Sequence, residues 1–482
     1  MQFKFNNTFS RLPPAFHRNV LPQGLEGAHL VSFNPGAAKL IDLNADAELS
    51  KDFVDIFGGH TVPECGRPIA MAYSGHQFGV YVPQLGDGRA LLLGEVINQQ
   101  NEKWDIQLKG SGITPFSRFG DGRAVLRSTI REYLCSEAMY GLGIPTTRAL
   151  CIIGSQQRVY REEIEAGAIL TRLSSSHVRF GSFEYFYHTK QMAEVRQLAD
   201  YVIEHHFTGF KHAPEKYLLL FDSVVKSTAH LIAQWQAVGF AHGVMNTDNM
   251  SILGLTLDYG PFGFIEEYDP GYICNHSDGQ GRYAFGNQPI VGLFNLNCLA
   301  HAFSGLIDID DLKTSLSGYE ESYLAEYNRL MRLKLGLQVS RPNDNDLIES
   351  LLSLMGANKV DYTTFFRGLS DLTIDSQYPD LDAMFSDQAE FYKWLTAYKD
   401  RLIDENSDDI SRNKLMVSRN PVYVLRNYMA QHAIAQAEQG DYAEIDRLLK
   451  LLSNPFDEQV DSEGYAQPSP EWGKKLIVSC SS

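Results

Sequence analysis

His242-Gly-Val-Met-Asn-Thr-Asp-Asn-Met-Ser-Ile-Leu-Gly-Leu-Thr-Leu-Asp-Tyr-Gly260 is the stretch whose reading decides the fold. It joins a His-Gly turn, the pair Asp248-Asn249, a short apolar run and Asp258-Tyr259-Gly260. The run 252–257 is bounded by glycine and polar residues, which predicts a buried strand or a tight hairpin. Asp248, Asn249 and Asp258 then flank one short element, and their oxygens can converge. A hard cation such as Mg²⁺ takes oxygen ligands of this kind, shared with substrate phosphates. Asp, Asn and Gly also dominate ordinary turns, so the stretch takes its meaning from what lies upstream.

Upstream, Gly86-Asp87-Gly88-Arg89-Ala90 leads into an apolar strand at 91–96. A polar turn follows, and an alternating strand at 104–109 ends in Lys109. Glycines let backbone N–H groups approach phosphates, and a lysine adds a point charge. Gly-Asp-Gly-Arg-Ala recurs at 120–124, ahead of a helix expected over 125–140. Leu126, Ile130 and Leu134 form its apolar stripe, and Gly141 and Gly143 stop it. Asp121 and Gly122 are expected at its N-terminus, where free N–H groups attract anions. The helix carries Glu132 and Glu137, and helical spacing does not choose which of them pairs with Lys109. Arg172 and Arg179 bracket a Ser/His stretch. Arginine suits bidentate phosphate binding; the alternative places both on a surface loop.

The remaining chain reads as α+β. Residues 1–70 form an irregular but folded extension, with a surface helix expected at 42–55. Two strands are expected within 145–158 and another at 167–173. Residues 191–240 read as two helices, 275–288 as a long polar loop, and 290–303 as a helix. From 319 onward the signals are helical, until a Pro/Ser/Gly linker at 455–473 and a tail holding Cys480.

Lys and Arg number 42 against 59 Asp and Glu, a net charge of −17 over 482 residues. So acidic a chain is a poor general binder of nucleic acid or anionic membrane. Any site for an anionic substrate must gather its cations locally. Six cysteines without a Cys-x-x-Cys pair point to a reducing compartment and no zinc spacing. The N-terminus lacks a signal-peptide apolar core, and no apolar run approaches the ~20 residues of a membrane span. The expectation is a cytoplasmic monomer.

These parts stand in the order of a protein kinase: Gly-rich turn, strand lysine, helix glutamate, catalytic loop, Asp-x-Gly. Val244 stands where the kinase pattern has its aspartate base, while Asn249 falls at the metal-binding asparagine. Over essentially its full length the sequence resembles the selenoprotein O family, also called YdiU-like proteins. The segments that carry the resemblance are Tyr73-Ser-Gly-His-Gln-Phe-Gly79, Gly86-Asp-Gly-Arg89, Gln107-Leu-Lys-Gly-Ser-Gly112, Phe119-Gly-Asp-Gly-Arg-Ala124, residues 242–249 and Asp258-Tyr-Gly-Pro-Phe262. Cys480-Ser-Ser482 matches the family's Cys-terminated form.

The resemblance implies a kinase-like bilobal fold: an N-terminal extension (1–70), an N lobe (71–180), a C lobe (181–330) and a helical C-terminal region (331–482). It implies transfer of AMP from ATP to Ser, Thr or Tyr hydroxyls of proteins. Gly86, Gly88, Arg89, Lys109, Asp121, Gly122, Arg172 and Arg179 would contact ATP, and Glu132 would partner Lys109. Asn249 and Asp258 would hold Mg²⁺ or Mn²⁺, and Asp248 would accept the proton. Competing readings are UMP transfer from UTP, an atypical protein kinase, and an inactive nucleotide-binding pseudokinase scaffold. Cys274 and Cys480 are a candidate redox pair.

Overall fold

The computed structural model describes residues 1–375 and 379–479. The chain begins with β1 (His17–Asn19), β2 (His29–Phe33), the short helices α1 (Pro35–Ala38) and α2 (Phe53–Phe57), and β3 (Ile69–Met71). A hairpin of β4 (Gly75–Gln77) and β5 (Val80–Val82) follows, then β6 (Ala90–Ile97), β7 (Lys103–Lys109) and β8 (Ala124–Val125). Helix α3 (Leu126–Gly141) precedes β9 (Arg148–Tyr160) and β10 (Ile164–Ser174). Except for the hairpin, these strands form one antiparallel sheet in the order β1-β3-β6-β7-β10-β9-β2, with β8 on β10. The extension thus supplies the strands at both ends of this order.

Alternation sorts the two faces of the sheet. Ile106, Leu108, Ile169 and Leu173 face a core built with Leu25, Ile41, Phe53 and Phe57 of the extension. Ala168 and Leu170 face the other way, onto Ile130 and Leu134 of α3. Lys109 opposes Leu170 and Gln107 opposes Arg172. Directly opposed residues share a face, so Lys109 and Arg172 both emerge on the α3 side.

Below the sheet lie α4 (Phe180–His188), α5 (Met192–His206) and α6 (Lys216–Val238). The ribbon of β11 (Phe240–Ala241) and β12 (Gly263–Phe264) carries the loop 242–262 between its strands. Then come α7 (Gln288–Phe303), α8 (Ile309–Lys334), α9 (Asp344–Asn358), α10 (Tyr362–Leu369), α11 (Pro379–Asp382), α12 (Gln388–Asp404), α13 (Asp409–Val417), α14 (Asn427–Ala437) and α15 (Ala443–Ser453). Helices α14 and α15 return to pack on α3, so the C-terminal part shares a core with the sheet. Among the described residues no helix is long and apolar enough to cross a membrane.

Four local expectations are corrected. Residues 252–257 are neither a strand nor a hairpin: Gly254 turns the backbone at φ 67°, and the isolated bridges at Ser251 and Thr256 go to Arg179 and Thr146 rather than to each other. Residues 42–55 are broken turns with only the start of α2, since Asp42 adopts left-handed φ 58°. The two strands expected in 145–158 are the single strand β9, whose register shift against β10 absorbs the Gly154-Ser155 irregularity. Helix α4 starts at Phe180, with Arg179 as its N-cap, where no helix was expected.

Candidate active site

The loop 242–262 hangs from a two-residue ribbon, and buried aromatics fix its course. His242 lies beside Trp235 and Tyr259, with Nε2 3.0 Å from the Leu257 carbonyl. Asp258 takes left-handed φ 59°, a conformation that Asp tolerates better than most residues. That twist turns its carboxylate toward the sheet.

Three cations meet it there. Asp258 Oδ1 lies 3.3 Å from Lys109 Nζ and 2.6 Å from Arg172 Nη2, and Oδ2 accepts from Arg179 Nη1. Glu132 completes the cluster, 2.5 Å from Lys109 Nζ and 2.9 Å from Arg172 Nε. Arg172 and Arg179 are 2% and 3% exposed, so the surface-loop reading of both is corrected. Glu137, the other helix glutamate, instead forks onto Arg148 at 2.9 and 2.7 Å. Burial works to raise the pKa of Asp258, but Arg172, Arg179 and Lys109 outweigh it and hold the carboxyl well below the usual range. Burial, then Arg172, lowers Lys109.

Asp248 differs. Burial pushes its carboxyl up to about 7 against the pull of Arg179. Oδ2 accepts from Gln77 Nε2 at 3.2 Å, and Oδ1 is buried with no hydrogen-bond partner among the described residues. Its main-chain oxygen accepts from Arg179 at 2.7 Å. The β4–β5 hairpin grips the same loop: His76 N donates to Thr247 Oγ1 (2.7 Å), and Phe78 N donates to Asn246 Oδ1 (3.3 Å).

A cleft of about 370 Å³ opens over these groups, within the range of small-molecule sites. Gly88, Arg89, Lys109, Glu132, Arg172, Arg179, Val244, Asp248, Asn249 and Asp258 line it. Arg89 is exposed and forms no ion pair among the described residues. Gly86 sits just behind the lining at φ 73°, where a Cβ would lie 2.4 Å from Phe116. Asp121 and Gly122 do not line the cleft, because α3 begins only at Leu126 with Val125 as its N-cap. Asp121 is held by Arg161 at 2.8 and 2.9 Å, and the Gly122 carbonyl accepts from Gly112 N at 3.1 Å. Gln77, Tyr73 and Asn246 line the cleft without having been singled out. The signal for Gln77 and Tyr73 lay in 73–79, quoted above as a motif but given no role.

The donor set fits a hard divalent ion. Asp258 is charged, and Asn249 donates its Nδ2 to the Val244 carbonyl (3.0 Å), which leaves its amide oxygen for another partner. All are oxygens, as Mg²⁺ or Mn²⁺ prefer.

The profile of the family described as "Protein adenylyltransferase SelO" matches residues 1–453. The chain belongs to the SelO family. Protein nucleotidyltransferase YdiU of Myxococcus xanthus is 53% identical over 483 residues, covering 100% of this chain and 99% of the relative. That of Thioalkalivibrio sulfidiphilus is 53% identical over 486 residues, covering 99% of each, and that of Pseudomonas aeruginosa is 51% identical over 478 residues, covering 99% and 98%. As a SelO-family member the chain is an enzyme of the transferase class.

Proposed function

We propose that the chain is a protein adenylyltransferase, moving AMP from ATP to Ser, Thr or Tyr hydroxyls of protein substrates. The observation that carries this reading is Asp248: a buried carboxyl held near neutrality, with one oxygen unpartnered, in a cleft that gathers four cations. The acceptor hydroxyl loses its proton to Asp248 while its oxygen bonds to the α-phosphorus. The bond from that phosphorus to the bridging oxygen breaks, and pyrophosphate leaves. A general base poised near the working pH is most effective. Val244, at the kinase base position, cannot take that proton.

Lys109, Arg89, Arg172 and Arg179 bind and neutralise the phosphates, and Glu132 orients Lys109. Gly86 and Gly88 give the turn its close approach, while Gly122 lies against Gly112, just past the strand end at Lys109. Asn249 and Asp258 would hold Mg²⁺ or Mn²⁺, which supplies further charge neutralisation when bound. Positioning and charge stabilisation are most of what phosphoryl-type transfer needs. The antiparallel sheet with its lysine, the helix glutamate and the loop below support a kinase-like bilobal architecture, with lobes at 71–180 and 181–330 between an N-terminal extension and a helical C-terminal region.

The test is ATP labelled at the α- or the γ-phosphate, with α-labelled UTP alongside. Label reaching protein from the α-position supports the reading, and the UTP arm decides between AMP and UMP. Label from the γ-position makes the protein an atypical kinase; none from either makes it a scaffold.

Cys274 is buried in the loop after β12, and Cys480 lies outside the described residues. The Val478 carbonyl accepts from His276 N at 2.8 Å, two residues from each cysteine. This supports their pairing on oxidation as part of the proposal. Peptide mapping under non-reducing conditions that finds Cys480 only as a thiol removes that part.

A further inference from the structure

Away from the nucleotide cleft, β4, α4 and α7 meet behind the hairpin. His76 of β4, Glu184 of α4 and Cys298 of α7 bring Nδ1, a carboxylate oxygen and Sγ within 4.8 Å of one another. His76 Nδ1 and Glu184 Oε1 are 2.5 Å apart. Glu184 is 1% exposed, and its second oxygen, Oε2, is buried without a hydrogen-bond partner among the described residues. Cys298 is 8% exposed. A histidine–glutamate hydrogen bond and a space-filling thiol would account for part of this arrangement. They leave a fully buried carboxylate oxygen unpaired, at a cost of about 1–3 kcal/mol.

We propose that His76, Glu184 and Cys298 form a second metal site, for a divalent ion of the zinc class, with water in the fourth position. One imidazole, one carboxylate and one thiolate suit zinc and do not suit Mg²⁺, which takes oxygen. Tetrahedral ligands at 2.0–2.3 Å stand about 3.5 Å apart. The histidine and glutamate must part by about an ångström from their hydrogen-bonded contact, which rotation of the Glu184 carboxylate supplies. Binding releases the Cys298 thiol proton to solvent.

The site reaches the nucleotide cleft through one short path. His76 N donates to Thr247 Oγ1, and Gln77, the next residue, donates to Asp248 Oδ2. Zinc at His76 fastens the hairpin to α4 and α7 and so fixes the residues that hold Asp248. It acts as a structural and regulatory ion, separate from the ion proposed for Asn249 and Asp258.

The full-length protein, stripped with a chelator and dialysed against zinc with excess Mg²⁺, is analysed for bound zinc. A cobalt-substituted sample is scanned for the absorption of a cobalt–thiolate bond. The expectation is one zinc per chain and a thiolate band. Cys298→Ser should abolish the band, and both it and Glu184→Gln should weaken zinc binding by at least about tenfold. Cys65→Ser should change neither. Circular dichroism melts confirm that each variant is folded. The proposal is overturned if the parent takes up no zinc, if Cys298→Ser and Glu184→Gln bind it as the parent does, or if the band is lost only in Cys65→Ser.

Discussion

Replacing Asp248 with Asn should make the protein more stable and less active, and the two changes should depend on pH in the same way. Holding a carboxyl at about 7 instead of 3.8 disfavours its ionised form by about 4 kcal/mol in the fold. The folded-state value is the raised one. The penalty is therefore absent below about pH 4, grows between 4 and 7, and is complete above 7. Asparagine never ionises, so at pH 8 the variant gains up to about 4 kcal/mol and at pH 4 almost nothing. For 482 residues the unfolding entropy is ~1 kcal/mol per degree, so the gain reads as a rise of up to about 4 °C in Tm. Loss of a positioned general base should cost about 10²- to 10⁴-fold in kcat. The parent's rate should rise about tenfold per pH unit below 7 and level off above it. Calorimetry at pH 4.5 and 8, with α-label transfer across the same range, measures both. A variant that melts no higher at pH 8 and still transfers label would refute the assignment of Asp248.

Other substitutions probe the frame around it. Asp258→Asn removes the carboxylate shared by Lys109, Arg172 and Arg179, and metal-dependent label transfer should vanish; transfer at the parental rate contradicts its role. Arg148→Met strands Glu137, 2% exposed, and should cost about 3–5 kcal/mol in denaturant unfolding, with turnover per folded molecule unchanged. Gly181→Ala would put a Cβ 2.0 Å from the Ser74 carbonyl oxygen and 3.3 Å from Asp248 Cα. It should cost about 1–3 kcal/mol and much of the transfer rate, whereas Gly209→Ala, with open space around it, should stay within about 0.5 kcal/mol of the parent.

What the sequence revealed follows what is local. Strands β6 and β7 and helix α3 were legible because their apolar spacing repeats over whole elements, and Lys109 ends a strand that alternates cleanly. The choice between Glu132 and Glu137 was not legible. Both are buried on α3, and what separates them is Arg148, a residue of the next strand that claims Glu137. Helix α4 was hidden because its run from Phe180 to His188 is aromatic and lacks a polar face: it is buried against α7. Asp121 and Gly122 were expected on a helix end that begins later, since Ala124 and Val125 pair with β10 first. The hold of Gln77 on Asp248 joins residues 171 apart in sequence, a distance no periodicity spans.

The convergence of Lys109, Arg172 and Arg179 on Asp258 has a thermodynamic corollary. As folded, Asp258 and Glu132 face three cations, so the cluster keeps one positive charge in excess. A nucleotide arriving without a metal draws the cations away and leaves two acids side by side. A metal arriving without nucleotide takes Asp258 and leaves three like charges crowded together. Taken up jointly, the anionic phosphates meet the freed cations while the metal meets the freed carboxylate. Each should therefore strengthen the binding of the other by the same factor, a reciprocity that linkage requires.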